Sequence, residues 1–165
     1  MVNCFLKREI MTKTTNENIT IVGGTLSILS VFLPWFSASA TAIGSTSTLS
    51  VNGLGWKNGN GMLLGLMGSN FNWEFQGIGV LALGIASILL ALILKEKVFS
   101  LAMLACGLLI LGGGLVNLQS ISSISAEVLG MKIIWGTGYG LYVVVLAGAL
   151  VAAGGLLSWR DLTTK

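Results

Sequence analysis

Apolar residues fall into four long blocks: Ile19–Phe36, Ile78–Leu94, Val98–Leu118 and Tyr139–Trp159. No Asp, Glu, Lys or Arg interrupts any of them. A bilayer is crossed by about 20 mostly apolar residues in helical form, each adding about 1.5 Å. The blocks meet or nearly meet that length, so the pattern predicts four spanning helices. Between the first and second blocks lies a long segment, Ser37–Gly77, and between the third and fourth a shorter one, Gln119–Gly138. Only Lys95-Glu96-Lys97 joins the second block to the third, which predicts a tight antiparallel helical hairpin.

The two long connections read differently from the blocks. Ser37–Asn52 is uncharged, rich in Ser and Thr, and partly alternating at Thr48-Leu49-Ser50-Val51. That composition favours strands. Gly53-Leu54-Gly55-Trp56 and Asn58-Gly59-Asn60-Gly61 supply turn residues. Met62–Met67 reads as a further strand or a segment lying on the membrane. The second connection carries Ile121, Ile124, Val128, Ile133, Ile134 and Trp135, which need a surface to bury against. The two connections are therefore expected to form one β-containing cap, held by backbone pairing and by Trp56, Trp73 and Trp135. The expected fold class is an all-α transmembrane four-helix bundle with a small β-containing extracytoplasmic cap, a single integral membrane domain over 1–165.

Composition sharpens this. Of 165 residues, 54% are hydrophobic and 9% charged, against about 25% charged in soluble domains. A soluble fold so poor in charge would expose large apolar patches. The net charge of +3 does not signal a nucleic-acid partner. The basic residues sit at block ends, not on one polar face interleaved with aromatics. Lys7, Arg8, Lys13, Lys95, Lys97, Arg160 and Lys165 share one side of a four-span layout. Lys57 and Lys132 share the other. This bias predicts a multi-pass cell-membrane protein with both termini cytoplasmic.

The N-terminal region allows a second reading. Basic residues, an apolar run and Ala38-Ser39-Ala40 resemble a secretory signal peptide. The run exceeds the usual h-region of about 7–15 residues, and bulky Pro34-Trp35-Phe36 precedes the candidate cleavage site. An uncleaved first span is the expectation. Met1 and Met11 are both candidate starts.

Small residues recur at helical spacing within the blocks. The expected packing faces are Gly23, Ser27, Ser30 and Pro34; Gly77, Gly84, Ser87 and Ala91; Ala102, Ala105, Cys106 and Gly113; and Gly140, Ala147, Gly148, Ala152 and Gly155. In lipid, helices associate through close packing and a few hydrogen bonds, which small residues permit. Gly112-Gly113-Gly114 is expected to mark a kink or a very close crossing.

Candidate chemistry is sparse. There is no histidine, which removes Ser-His-Asp catalysis and the commonest metal ligand. Cys4 and Cys106 are expected at different depths and unbridged. Gly53-x-Gly55 and Gly59-x-Gly61 lack the strand–turn–helix setting and acidic partner of a dinucleotide site. Glu74 and Glu127 are the carboxylates of the outer connections, and nothing in the sequence places them together as an acid–base pair. Asn18-Ile19-Thr20 matches a glycosylation sequon but falls on the predicted cytoplasmic side. No catalytic, cofactor-binding or metal residues are assigned, and no cofactor is expected.

Leu33-Pro34-Trp35, Val51-Asn52-Gly53-Leu54-Gly55-Trp56 with Gly59, the tight helical hairpin and Gly136-Thr137-Gly138-Tyr139-Gly140 resemble small bacterial and archaeal four-span membrane proteins of unknown function. The layout is also similar to the claudin-like tetraspan group, whose first outer loop carries strands and a Gly-Leu-Trp motif with a cysteine pair. This chain has a partial match at Gly53–Trp56 and no loop cysteines. Neither resemblance implies an activity. The expectation is a non-enzymatic scaffold or accessory subunit that meets lipid, copies of itself or partner membrane proteins through its cap and glycine-rich faces, without nucleic acid. The alternatives are a small transporter or channel subunit and, third, an enzyme using Glu74 and Glu127.

Overall fold

The computed structural model describes residues 2–42, 45–60, 74–93, 97–122, 126–128 and 131–163, with side chains described at 15–41, 46–60, 76–92, 98–121 and 133–163. Met62–Met67, Trp73, Lys95 and Glu96 lie outside the described residues, as do the side chains of Cys4, Glu74 and Glu127. Among the described residues the helices are α1 (Val2–Phe32), α2 (Glu74–Ile93), α3 (Lys97–Ser122) and α4 (Tyr139–Thr163). The strands among them are β1 (Pro34–Ala42), β2 (Ser45–Asn52), β3 (Lys57–Gly59), β4 (Ala126–Val128) and β5 (Met131–Thr137). Each helix packs against two others: α1 and α3 both lie against α2 and α4.

The helices differ in length and bounds from the four spans expected. Val98–Ile121 and Tyr139–Thr163 are long and apolar enough to cross a membrane, and Gln76–Leu92 is a shorter apolar helix. The first block is helical only to Phe32. Pro34 has no N–H to continue the helical ladder and biases Leu33 away from helical geometry. In the other direction α1 runs back to Val2 through Lys7, Arg8, Lys13 and Glu17, so its apolar part is only its second half. The third block extends helically to Ser122, taking the first residues of the expected second connection.

The two connections do join. Their strands form one antiparallel sheet of order β3-β2-β1-β5-β4. Central β1 pairs with β2 through Ala38↔Leu49 and with β5 through Ala38↔Trp135. Alternation along the strands sorts the two faces. Phe36, Ala38, Ala40, Leu49, Val51, Ile133 and Trp135 face a core shared with Val31, Val80, Ile110, Ile121, Leu141 and Val144 of the helices. Phe36 and Trp135 meet at 5.2 Å between ring centroids. Ser37, Ser39, Thr41, Thr46, Thr48 and Ser50 occupy the alternate positions, none of them buried.

Glycine sets how closely the helices approach. A β-carbon on Gly148 would lie 2.5 Å from the Leu111 amide nitrogen, and one on Gly155 2.5 Å from that of Leu104. Gly107 meets the Ala152 backbone in the same way. The packing faces expected on α1, α2 and α4 are buried at nearly every position, Pro34 and Ala152 being partly covered. On α3 the expected face is wrong: Ala105 and Gly113 are exposed. The buried positions are instead Ser100, Met103, Gly107, Ile110, Gly114, Asn117 and Ile121, a heptad-like series. This helix is apolar on all sides, so residue size alone did not single out the face that meets α4. Nor do the three glycines break the helix, which is continuous from Lys97 to Ser122. Gly114 closes on Val145 and Val144, while Gly112 and Gly113 have open space at their β-carbon positions.

Gly148→Leu is expected to lower stability by about 1–3 kcal/mol or more, because the new side chain meets backbone atoms that cannot rotate away. Gly112→Ala should hold or raise stability, by up to about 1 kcal/mol, through helix propensity. Thermal unfolding of both variants in detergent checks the pair. Equal melting temperatures would contradict the α3–α4 packing described.

Candidate functional site

The short motifs of the sequence converge on one residue, Trp35. Between Pro34 and Phe36 the β1–β2 register shifts. An extra residue in one strand re-aims a side chain, and here both Trp35 and Phe36 are buried, Trp35 to 1% exposure. The indole Nε1–H donates to the Ser30 carbonyl at 2.9 Å. The amide of Gly53 donates to the Val31 carbonyl at 2.9 Å, and that of Leu33 to Ser30 at 3.2 Å. Carbonyls in the last turn of a helix lack partners within it. Here Trp35 and the Asn52–Trp56 turn supply them.

That turn is wound around one side chain. Asn52 Oδ1 accepts from the amides of Leu54 at 3.1 Å and Trp56 at 2.8 Å. Gly55 has φ of 78°, a conformation glycine adopts without a β-carbon clash. The turn brings Gly53 flat against the indole, where a β-carbon would lie 2.7 Å from Trp35 Cε2. On another side of the indole, Gly140 would place one 2.8 Å from Cδ1. Gly138 donates its amide to the Trp35 carbonyl at 2.9 Å, and its own β-carbon would strike the Pro34 carbonyl oxygen. Gly77, in the first turn of α2, abuts the Gly53 carbonyl. Three chain segments thus meet at one indole, the last turn of α1, the Asn52–Trp56 turn and the start of α4, and α2 begins against the Gly53 carbonyl.

Trp56, expected to hold the cap, is 66% exposed. The cap is anchored by Trp35 instead, with Trp135 contributing beside Phe36. The sequence offered a signal for this. It is Leu33-Pro34-Trp35 together with the glycine motifs, although a tryptophan beside a helix-ending proline equally suits a membrane interface.

A second polar feature runs down α1. Asn16, Thr20, Ser27 and Ser30 are all buried on its inward face. Thr20 donates to the Asn16 carbonyl at 3.2 Å, Ser27 to Gly23 at 3.0 Å and Ser30 to Ser27 at 2.6 Å. On α2, Ser87 donates to Gly84 at 2.8 Å. On α3, Asn117 Nδ2 donates to Gly113 at 2.8 Å. Each hydroxyl therefore spends its single proton on its own helix, which lets a polar residue sit in a packed interior. At the far end Asn16 Nδ2 donates to Asp161 Oδ2 at 2.7 Å, tying α1 to α4.

Neither feature holds a reactive constellation. Among the described residues no group of His, Cys, Asp or Glu could hold a metal ion. Cys106 is a free thiol on α3. Glu74 opens α2, whose first turn meets Gly53 beyond the end of β2, whereas Glu127 lies on β4 at the opposite edge of the sheet. Strands β1 and β5 stand between β2 and β4. No family model matches the chain, and no curated protein matches it.

Proposed function

We propose that this chain is a four-span integral membrane protein that acts without catalysis, as a scaffold or accessory subunit presenting its sheet on the outer face of the cell membrane. The observation that carries the reading is an inverted polarity in the helices. Val22, Leu29, Ile85, Leu89, Leu92, Leu101, Leu108, Leu109, Leu115, Val116 and Leu146 face outward, while Thr20, Ser27, Ser30, Ser87 and Ser100 are buried. Water would penalise that outward surface. Lipid accommodates it and leaves close glycine packing and internal hydrogen bonds to hold the helices.

Aromatic placement supports the same reading. Tyr139 and Tyr142 are exposed at one end of α4, and Trp159 at the other. The helical interval from Tyr139 to Trp159 corresponds to about 30 Å, the thickness of the bilayer's hydrocarbon core. Aromatic residues of this kind favour the two membrane interfaces. The basic residues of both termini and of the α2–α3 linker favour a cytoplasmic position for that end. Ala38-Ser39-Ala40 lies within the central strand β1, paired on both sides, which supports an uncleaved first helix. The resemblance of its short motifs to small prokaryotic four-span proteins, and the loose architectural likeness to claudin-type tetraspans, are in keeping with this reading.

A transport role has less support. The buried hydroxyls of α1 are bonded within their own helix, and the open glycines Gly112 and Gly113 lie away from the helix interfaces.

Topology is tested with single cysteines in a Cys-free background. A membrane-impermeant thiol reagent is expected to label Thr48→Cys in intact cells and Thr163→Cys only after lysis. The protein should remain in the membrane pellet at alkaline pH. The reversed labelling pattern, or release into the supernatant, would overturn the placement. The scaffold role is tested by the mass of the native complex in mild detergent. A particle larger than one chain, or a stoichiometric membrane partner, is expected. A bare monomer without partners would count against it.

A further inference from the structure

We draw no further inference here: the strongest candidate, the outward apolar face of α3 where Gly112 and Gly113 stand open between Leu109 and Val116, is an unpartnered helix face, and nothing in the structure shows what covers it.

Discussion

Trp35→Ala is expected to lower stability by about 3–5 kcal/mol, the range for truncating a fully buried tryptophan. The loss has two parts. The cavity would open where Gly53 and Gly140 touch the ring, and glycines have no side chains with which to fill it. The Ser30 carbonyl would also lose the indole donor at 2.9 Å, worth about 1 kcal/mol where no water replaces it. Because the indole, carried by β1, meets the end of α1, the turn after β2 and the start of α4, the damage should reach both sheet and helices. Trp56→Ala provides the contrast, since its ring is 66% exposed and a surface change of this kind stays within about 0.5 kcal/mol. Thermal unfolding in detergent, together with limited proteolysis across Pro34–Gly59, measures both. If Trp56→Ala loosens the sheet and Trp35→Ala does not, the anchor has been assigned to the wrong tryptophan.

Gly77→Ala should be nearly as damaging despite adding one methyl group. Its β-carbon would fall on the Gly53 carbonyl. Both partners are backbone, so no rotamer change relieves the clash. Overpacking costs about 1–3 kcal/mol where side chains can adjust, and the upper end or beyond is expected here. Displacing Gly53 would also disturb its hydrogen bond to Val31 and its contact with Trp35. Gly79→Ala, on the same helix, meets nothing within 4 Å and should be neutral or stabilising by up to about 1 kcal/mol. Comparing the two variants by melting temperature and by yield of folded protein separates local packing from general helix propensity. Equal behaviour would mean that α2 does not dock on the Asn52–Trp56 turn.

Much of the architecture was legible because it rests on short-range rules. Uninterrupted apolar blocks read as helices. Ser/Thr alternation after the first block read as strand, although Pro34 ended α1 earlier than the apolar run did. The apolar second connection called for a burying surface, and β5 found one beside β1. Glycine and serine spacing gave the inward faces of α1, α2 and α4, because on these helices the small residues fall into one stripe. On α3 small residues are scattered around the whole helix, and the stripe chosen by size was displaced from the one that meets α4.

The sequence by itself determined the helices, the strand-forming connections and the side of greater positive charge, since each follows from local composition and period. Tertiary structure decided which tryptophan is the anchor. Trp35, Trp56 and Trp135 are chemically alike, and along the sequence it is Trp56 and Trp135, not Trp35, that have a glycine beside them. What distinguishes Trp35 is a register shift in β1 that aims it at the helices, and two glycines far apart in sequence, Gly53 and Gly140, that approach from different segments. Such a meeting depends on non-local pairing, β1 with both β2 and β5, and no window along the chain contains it.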